Sequence, residues 1–144
     1  MGYIPHKETM NRGTLFHSEL EAQYYEYLIQ QEDISNIKLQ PEFILLEPFT
    51  VNCYKCNGSG RVPGKRGTRQ CSRCTGTGKK QRQQMIYTAD FKVIYKDGRE
   101  EIIDVKGNPK LDKQFPLRKK LFEARYKQEL IVVTKTKKGE WVRK

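Results

Sequence analysis

No stretch of this chain approaches the roughly 20 consecutive apolar residues that a membrane-spanning helix needs. Its first residues, Met1 to Arg12, lack the charged start and following apolar run of a secretion signal. A cytosolic protein without a membrane partner is therefore expected. Cysteine is confined to four positions between 53 and 74. In a reducing compartment such residues are metal ligands rather than disulfides. Acidic side chains are missing altogether from residues 53–84, a segment that holds nine basic ones. With 144 residues, the chain has room for one hydrophobic core and a small insert, but not for two cores.

What is present is positive charge, +11 net, unevenly distributed. Residues 1–52 and 85–104 are net acidic, whereas 53–84 and 105–144 are strongly basic. Two basic blocks thus flank two carboxylate-bearing segments, which suits a protein that grips phosphates and does metal chemistry between the grips. The plainer account, cations that merely keep a small protein dissolved, fits poorly with 32 residues free of any acid.

Residues 1–13 read as a polar, flexible arm. Phe16, Leu20, Tyr24, Tyr27 and Leu28 recur on one helical face, and Ser18 with Glu21 forms a capping-box pattern, so a helix is expected over 18–31. The tyrosines at 24, 25 and 27 have the spacing of core residues. A short strand follows over 40–46. Residues 85–95 and 100–106 read as a hairpin around Asp97-Gly98. Pro116 opens a second helix over 116–127, with Leu117, Leu121 and Ala124 as its apolar face. A β-branched strand over 130–135 and a last one at Trp141-Val142 complete an α/β fold with a mixed sheet flanked by helices.

Cys53-Tyr-Lys-Cys56 and Cys71-Ser-Arg-Cys74 are CxxC pairs 14 residues apart, and each extends to CxxCxGxG. Two such knuckles supply four thiolates to one tetrahedral Zn²⁺, a closed and therefore structural site. A redox pair or disulfides are the alternatives; the duplication disfavours the first and the compartment the second. The repeat resembles one zinc module from the cysteine-rich region of J-domain chaperones. That similarity covers residues 53–78 only, with two repeats and no J-domain, so the chaperone activity is not implied. Residues 53–84 are accordingly read as an inserted zinc ribbon, and 1–52 with 85–144 as the core. Lys55, Arg61, Lys65, Arg66, Arg69, Arg73, Lys79, Lys80 and Arg82 suit phosphate contacts, unless the ribbon is only a stabilising hairpin.

Ile102-Ile103-Asp104-Val105-Lys106-Gly107 carries the chemistry. On a strand, Asp104 and Lys106 share a face, while Ile103 and Val105 point the other way. Asp90 lies on the preceding strand, and hairpin register decides whether it meets Asp104. A two-residue loop at Asp97-Gly98 would set Asp90 against Val105. A three-residue loop of Lys96, Asp97 and a left-handed Gly98 sets it against Asp104 on the same face, and that loop is expected. Two such carboxylates repel unless a cation joins them, and oxygen ligands favour Mg²⁺ or Mn²⁺. Lys106 would then orient a water or stabilise charge on phosphate, and Glu21, with Glu19 as fallback, would complete the site. His17 is one turn before Glu21 and is read as a bystander.

Asp90…Asp104-Val-Lys106 resembles the PD-(D/E)xK nuclease signature, with Ala89 where a proline often stands. Together with Phe16-His-Ser-Glu-Leu-Glu21 and the basic second helix, it is similar to small phage nucleases related to Holliday-junction resolvases, over residues 14–52 and 85–135. The resemblance implies a restriction-endonuclease-like core in a bacterial or phage-infected host cell. It also implies Glu21, Asp90, Asp104 and Val105 as Mg²⁺ ligands and Lys106 as a catalytic partner. Arg118, Lys119 and Lys120 become phosphate contacts, and branched DNA becomes the substrate of a homodimer. A nicking, repair or transposition nuclease of the same fold is the alternative. From other classes come a non-catalytic zinc-ribbon DNA-binding protein and a chaperone-like zinc module.

Overall fold

The computed structural model describes residues 9–11, 14–16 and 18–144; most of the expected arm, and His17, lie outside them. Along the chain come β1 (Thr9–Asn11), β2 (Thr14–Phe16), α1 (Glu19–Ile29), β3 (Ile34–Leu39), β4 (Glu42–Leu46) and β5 (Phe49–Asn52). Then follow β6 (Arg61–Gly64), β7 (Gly67–Gln70), β8 (Lys79–Arg82), β9 (Met85–Thr88), β10 (Phe91–Tyr95) and β11 (Glu100–Val105). The chain closes with α2 (Phe115–Tyr126), β12 (Leu130–Lys135) and β13 (Trp141–Arg143). Part of the expected arm is ordered, because β1 pairs antiparallel with β2. None of the helices among the described residues is long and apolar enough to cross a membrane. The chain divides into two compact units, residues 1–43 with 87–144, and residues 44–86. The second unit contains the cysteine-rich segment and begins before it, since β4 pairs with β9 and β5 with β8.

The first unit is a mixed α/β structure. Its five-stranded sheet runs β13-β12-β11-β10-β3. β11 and β12 are parallel, and the other neighbours are antiparallel. A parallel pair needs a crossover, and α2 provides it. Helix α1 starts as its sequence predicts: the Glu21 N–H donates to Ser18 Oγ at 3.1 Å, and the Ser18 hydroxyl lies 3.2 Å from Glu21 Oε1. Its buried residues Ala22, Tyr24 and Leu28 pack with Phe16 on Phe91, Val93, Ile103, Val105 and Val133 of the sheet. Tyr24 is core, but Tyr27 is 41% exposed, so only part of the tyrosine cluster is buried.

Strand alternation sends Ile102 and Asp104 to the opposite face. There Phe122 of α2 is fully buried, with Phe43 4.9 Å, Tyr126 5.0 Å and Tyr87 6.1 Å away, ring centre to ring centre. The apolar face of α2 is thus Phe115 and Phe122. Leu117 is 60% exposed and Ala124 faces solvent, contrary to the stripe expected from sequence. The expected strand over 85–95 is broken at Ala89-Asp90 into β9 and β10, and β3 is a strand that the sequence reading missed.

The second unit is built from two antiparallel ladders. β5 pairs with β8 from Phe49↔Arg82 to Asn52↔Lys79, and β6 pairs with β7 from Arg61↔Gln70 to Gly64↔Gly67. A cysteine knuckle sits between β5 and β6, and the other between β7 and β8.

Candidate functional site

The hairpin between β10 and β11 sets the first site. Gly98 has φ +90°, and its N–H donates to the Tyr95 carbonyl at 3.0 Å. The Tyr95 N–H donates to the Arg99 carbonyl at 2.9 Å. These are the two bonds of a three-residue loop whose last residue is left-handed, a conformation that glycine adopts without steric cost. The ladder runs Ile94↔Glu100 to Phe91↔Ile103 and ends there, with Asp90 and Asp104 the next residues on the two sides. Asp90 bends out of the ladder: its N–H donates to the Ile103 carbonyl at 3.1 Å. Its Oδ2 accepts the Val105 N–H at 2.7 Å, which fixes the carboxylate over the strand end. Val105 itself is buried in the core, so its carbonyl is the atom it could offer a metal.

Asp104 is 4% exposed, and both of its oxygens are engaged. Lys106 Nζ lies 3.2 Å from Oδ1, and the Tyr87 hydroxyl donates to Oδ2. Burial and the adjacent Asp104 push the Tyr87 phenol above its ordinary range, which favours its role as a donor to Asp104. Lys106 has two further neighbours, the Phe115 ring at 4.3 Å and Asp112 Oδ2 at 3.6 Å. Asp112 in turn binds Arg118 through both oxygens at 3.2 Å. It also accepts the Gln114 and Phe115 N–H groups at 3.1 Å, capping α2. Tyr87 and Asp112 are the residues that sequence reasoning missed. Tyr87 lies three residues before Asp90 but carried no assignment, and nothing local marks Asp112.

Glu21 is 8% exposed on the first turn of α1. Burial, then Asp104, then Glu21 push the Asp90 carboxyl well above the usual carboxylate range. Asp90 thus feels the negative charge of both neighbours, and either a proton or a cation relieves it. An all-oxygen donor set of this kind fits a hard divalent ion. It is looser than a closed cage: among the described residues, only the four cysteines bring three or more ligand atoms within 4.8 Å of one another. Glu19 is exposed.

The cysteines form the second site. Cys53 and Cys71 sulfurs are 3.9 Å apart, and Cys56 and Cys74 sulfurs 3.7 Å. A tetrahedron with edges near ~3.8 Å has its centre about 2.3 Å from each corner, the length of a Zn–S bond. All four residues are buried, and together they can hold one structural zinc ion. The Gly60 N–H donates to Cys56 Sγ and the Gly78 N–H to Cys74 Sγ, each at 3.2 Å. Burial pushes the Cys74 thiol up, but the Gly78 N–H and the neighbouring sulfurs outweigh it and hold the group at about 6.

The two knuckles are related by a local twofold. The Cys53 N–H donates to the Gly78 carbonyl and the Cys71 N–H to the Gly60 carbonyl, both at 2.8 Å. Ser59 and Thr77 hydroxyls donate to the Cys56 and Cys74 carbonyls, both at 2.8 Å. A Cβ on Gly60 would overlap the Gly76 carbonyl, and one on Gly78 the Gly58 carbonyl, so both positions require glycine. The repeat is a folding unit as well as a ligand pattern.

The basic residues differ in their freedom. Lys65, Arg66 and Arg69 are exposed around an open hollow of about 930 Å³ at the tip of the β6–β7 hairpin. Arg61 is tied to Thr68 at 2.8 and 2.9 Å. Lys79 reaches Asn52, Lys80 the Arg73 carbonyl at 3.2 Å, and Arg82 the Gln81 carbonyl at 3.0 Å. Lys55 donates to Ser72 at 3.2 Å, and Arg73 lies over the Tyr54 ring at 4.4 Å. On α2, Arg118 is half-buried on Asp112, Lys119 is half-buried and Lys120 is exposed.

No curated protein and no solved structure matches the chain. Residues 3–140 match the family described as "Protein of unknown function (DUF1064)", and the chain belongs to that family.

Proposed function

We propose that this member of the family is a metal-dependent DNA endonuclease with a restriction-endonuclease-like, PD-(D/E)xK core and a zinc ribbon that adds a phosphate-binding surface. The observation that carries the reading is the end of the β10–β11 hairpin, where Asp90 accepts the Val105 N–H at 2.7 Å, one residue from Asp104, with Lys106 3.2 Å from Asp104 Oδ1. A surface ion pair needs neither a second carboxylate at the strand end nor a buried one on α1.

Glu21, Asp90, Asp104 and the Val105 carbonyl would hold Mg²⁺ or Mn²⁺. Such an ion, when bound, polarises a phosphodiester and lowers the pKa of a water. The chain's own groups do the remaining work. The Val105 N–H and Tyr87 hydroxyl fix the orientation of Asp90 and Asp104. Lys106 places a positive charge beside them, where it can orient the attacking water or meet the charge that develops on phosphate. Lys120 on α2 and, separately, the exposed ribbon cations would each contact phosphates, a grip that weakens with salt. Zn²⁺ on the four thiolates shapes the ribbon and takes no part in cleavage. Branched DNA is the proposed substrate, and symmetric cutting of a four-way junction calls for two copies of the site in a homodimer.

The test is cleavage of a labelled four-way junction beside a matched linear duplex, with Mg²⁺ or EDTA, for wild type and Asp104→Ala. Paired cuts in the junction alone, lost with EDTA and in the variant, are expected. Zinc-loaded protein that binds both DNAs and cuts neither in Mg²⁺ or Mn²⁺ would replace the enzyme with a DNA-binding scaffold.

A further inference from the structure

The local twofold of the ribbon isolates a residue that the fold does not require. Equivalent positions in the two knuckles differ by 18 in number, so Tyr54 corresponds to Ser72 and Lys55 to Arg73. The structure makes the same cross-contact twice. Lys55 of the first knuckle reaches Ser72 of the second at 3.2 Å, and Arg73 of the second covers Tyr54 of the first at 4.4 Å. The basic member is kept at both places, whereas its partner is a small hydroxyl at one and a large ring at the other. A serine therefore suffices for the knuckle's architecture. The ring is nevertheless 74% exposed, so it contributes little burial to the unit that carries it.

We propose that Tyr54, backed by Arg73 and flanked by Lys55, is a stacking platform for an unpaired nucleobase of a single-stranded or branched nucleic acid. A guanidinium against the ring restricts it and leaves a flat aromatic surface ready for a second π system. An unpaired base supplies that surface, and its strand supplies the phosphates for the two neighbouring cations. Duplex DNA offers the phosphates but keeps its bases stacked inside. An acidic peptide would find the cations but has no use for the ring. The absence of any acidic residue from 53–84 favours a polyanionic strand. The platform stands on the ribbon alone and does not depend on the carboxylate site.

The test uses the full-length, zinc-loaded chain without Mg²⁺. Its binding to labelled oligothymidylate and to a matched duplex is followed by fluorescence anisotropy over a range of NaCl. Tyr54→Ser copies the residue at the equivalent place in the second knuckle, so the variant is expected to fold and keep its zinc, which metal analysis verifies. Roughly tenfold weaker binding of the single strand is expected, with the duplex affected less than about twofold and the salt slope unchanged; Tyr54→Phe should bind like wild type. Equal single-strand affinity in Tyr54→Ser, or an equal loss on both DNAs, would overturn the platform. So would Tyr54-dependent capture of an acidic peptide with no single-strand preference. None of these results bears on cleavage, which the Asp104→Ala comparison tests separately.

Discussion

Single residues with the same chemistry behave differently according to what surrounds them, and the glycines of the ribbon make this measurable. Gly78 has φ +73° and its missing Cβ leaves room for the Gly58 carbonyl, whereas Gly67 has φ +100° and nothing within 4 Å. Gly67→Ala should therefore cost only left-handed strain, about 1 kcal/mol. Gly78→Ala should disrupt the knuckle and lower zinc retention; zinc content after dialysis against a mild chelator distinguishes them. Asp112 offers a second comparison. Burial raises its carboxyl, but Arg118, Lys106 and the capping N–H groups outweigh that and hold it below the usual range. A lowered carboxyl stabilises the fold above the unfolded-state pKa and loses that contribution as pH falls through the folded one. With the side chain 33% exposed, the contribution is under about 1 kcal/mol. Urea melts should show Asp112→Asn less stable than wild type at neutral pH and equal to it in acid. The meeting of Asp104 and Lys106 was legible because residues two apart on an extended chain share a face. Asp112 was not, since it reaches Lys106 from a loop whose path no local pattern encodes.

At the scale of elements, turn chemistry was the most legible signal and helix facing the least. The Asp97-Gly98 sequence left two registers open, and only the three-residue loop joined the carboxylates; that loop is the one formed. For α2, two stripes are available in the same twelve residues, Leu117 with Leu121 and Ala124, or Phe115 with Phe122 and Tyr126. The choice is made by distant partners, Phe43 and Tyr87, whose rings close on Phe122. Phe122→Ala should accordingly cost about 3–5 kcal/mol, while Leu117→Ala should stay within about 0.5 kcal/mol, as read by chemical denaturation. β3 escaped notice because its apolar residues break the two-residue period. Its pairing skips Ser35 between Ile34↔Tyr95 and Asn36↔Ile94, and the Ser35 hydroxyl donates to the Ile94 carbonyl at 3.0 Å. The bulge lets Ile34 and Ile37 both pack on the core, a spacing of three that does not read as a strand.

For the whole molecule, charge blocks and the cysteine repeat gave the division into two kinds of segment, and the structure has two compact units. The boundary at residue 44 rather than 53 follows from strand pairing, which a cysteine motif cannot reveal. The acidic and basic segments are consistent with one account: Asp104 and Asp112 lie beside Lys106 in the first unit, and nine cations stand against one acid, Glu47, in the second. The most direct test of that account is the single-turnover rate of DNA cleavage in saturating Mg²⁺ for Lys106→Met, with circular dichroism to verify its fold. On the role proposed for Lys106, its loss should lower the rate by at least about 10²-fold, with DNA affinity changed far less. A folded Lys106→Met protein that cuts at the wild-type rate, or a wild type that never cuts, would contradict it.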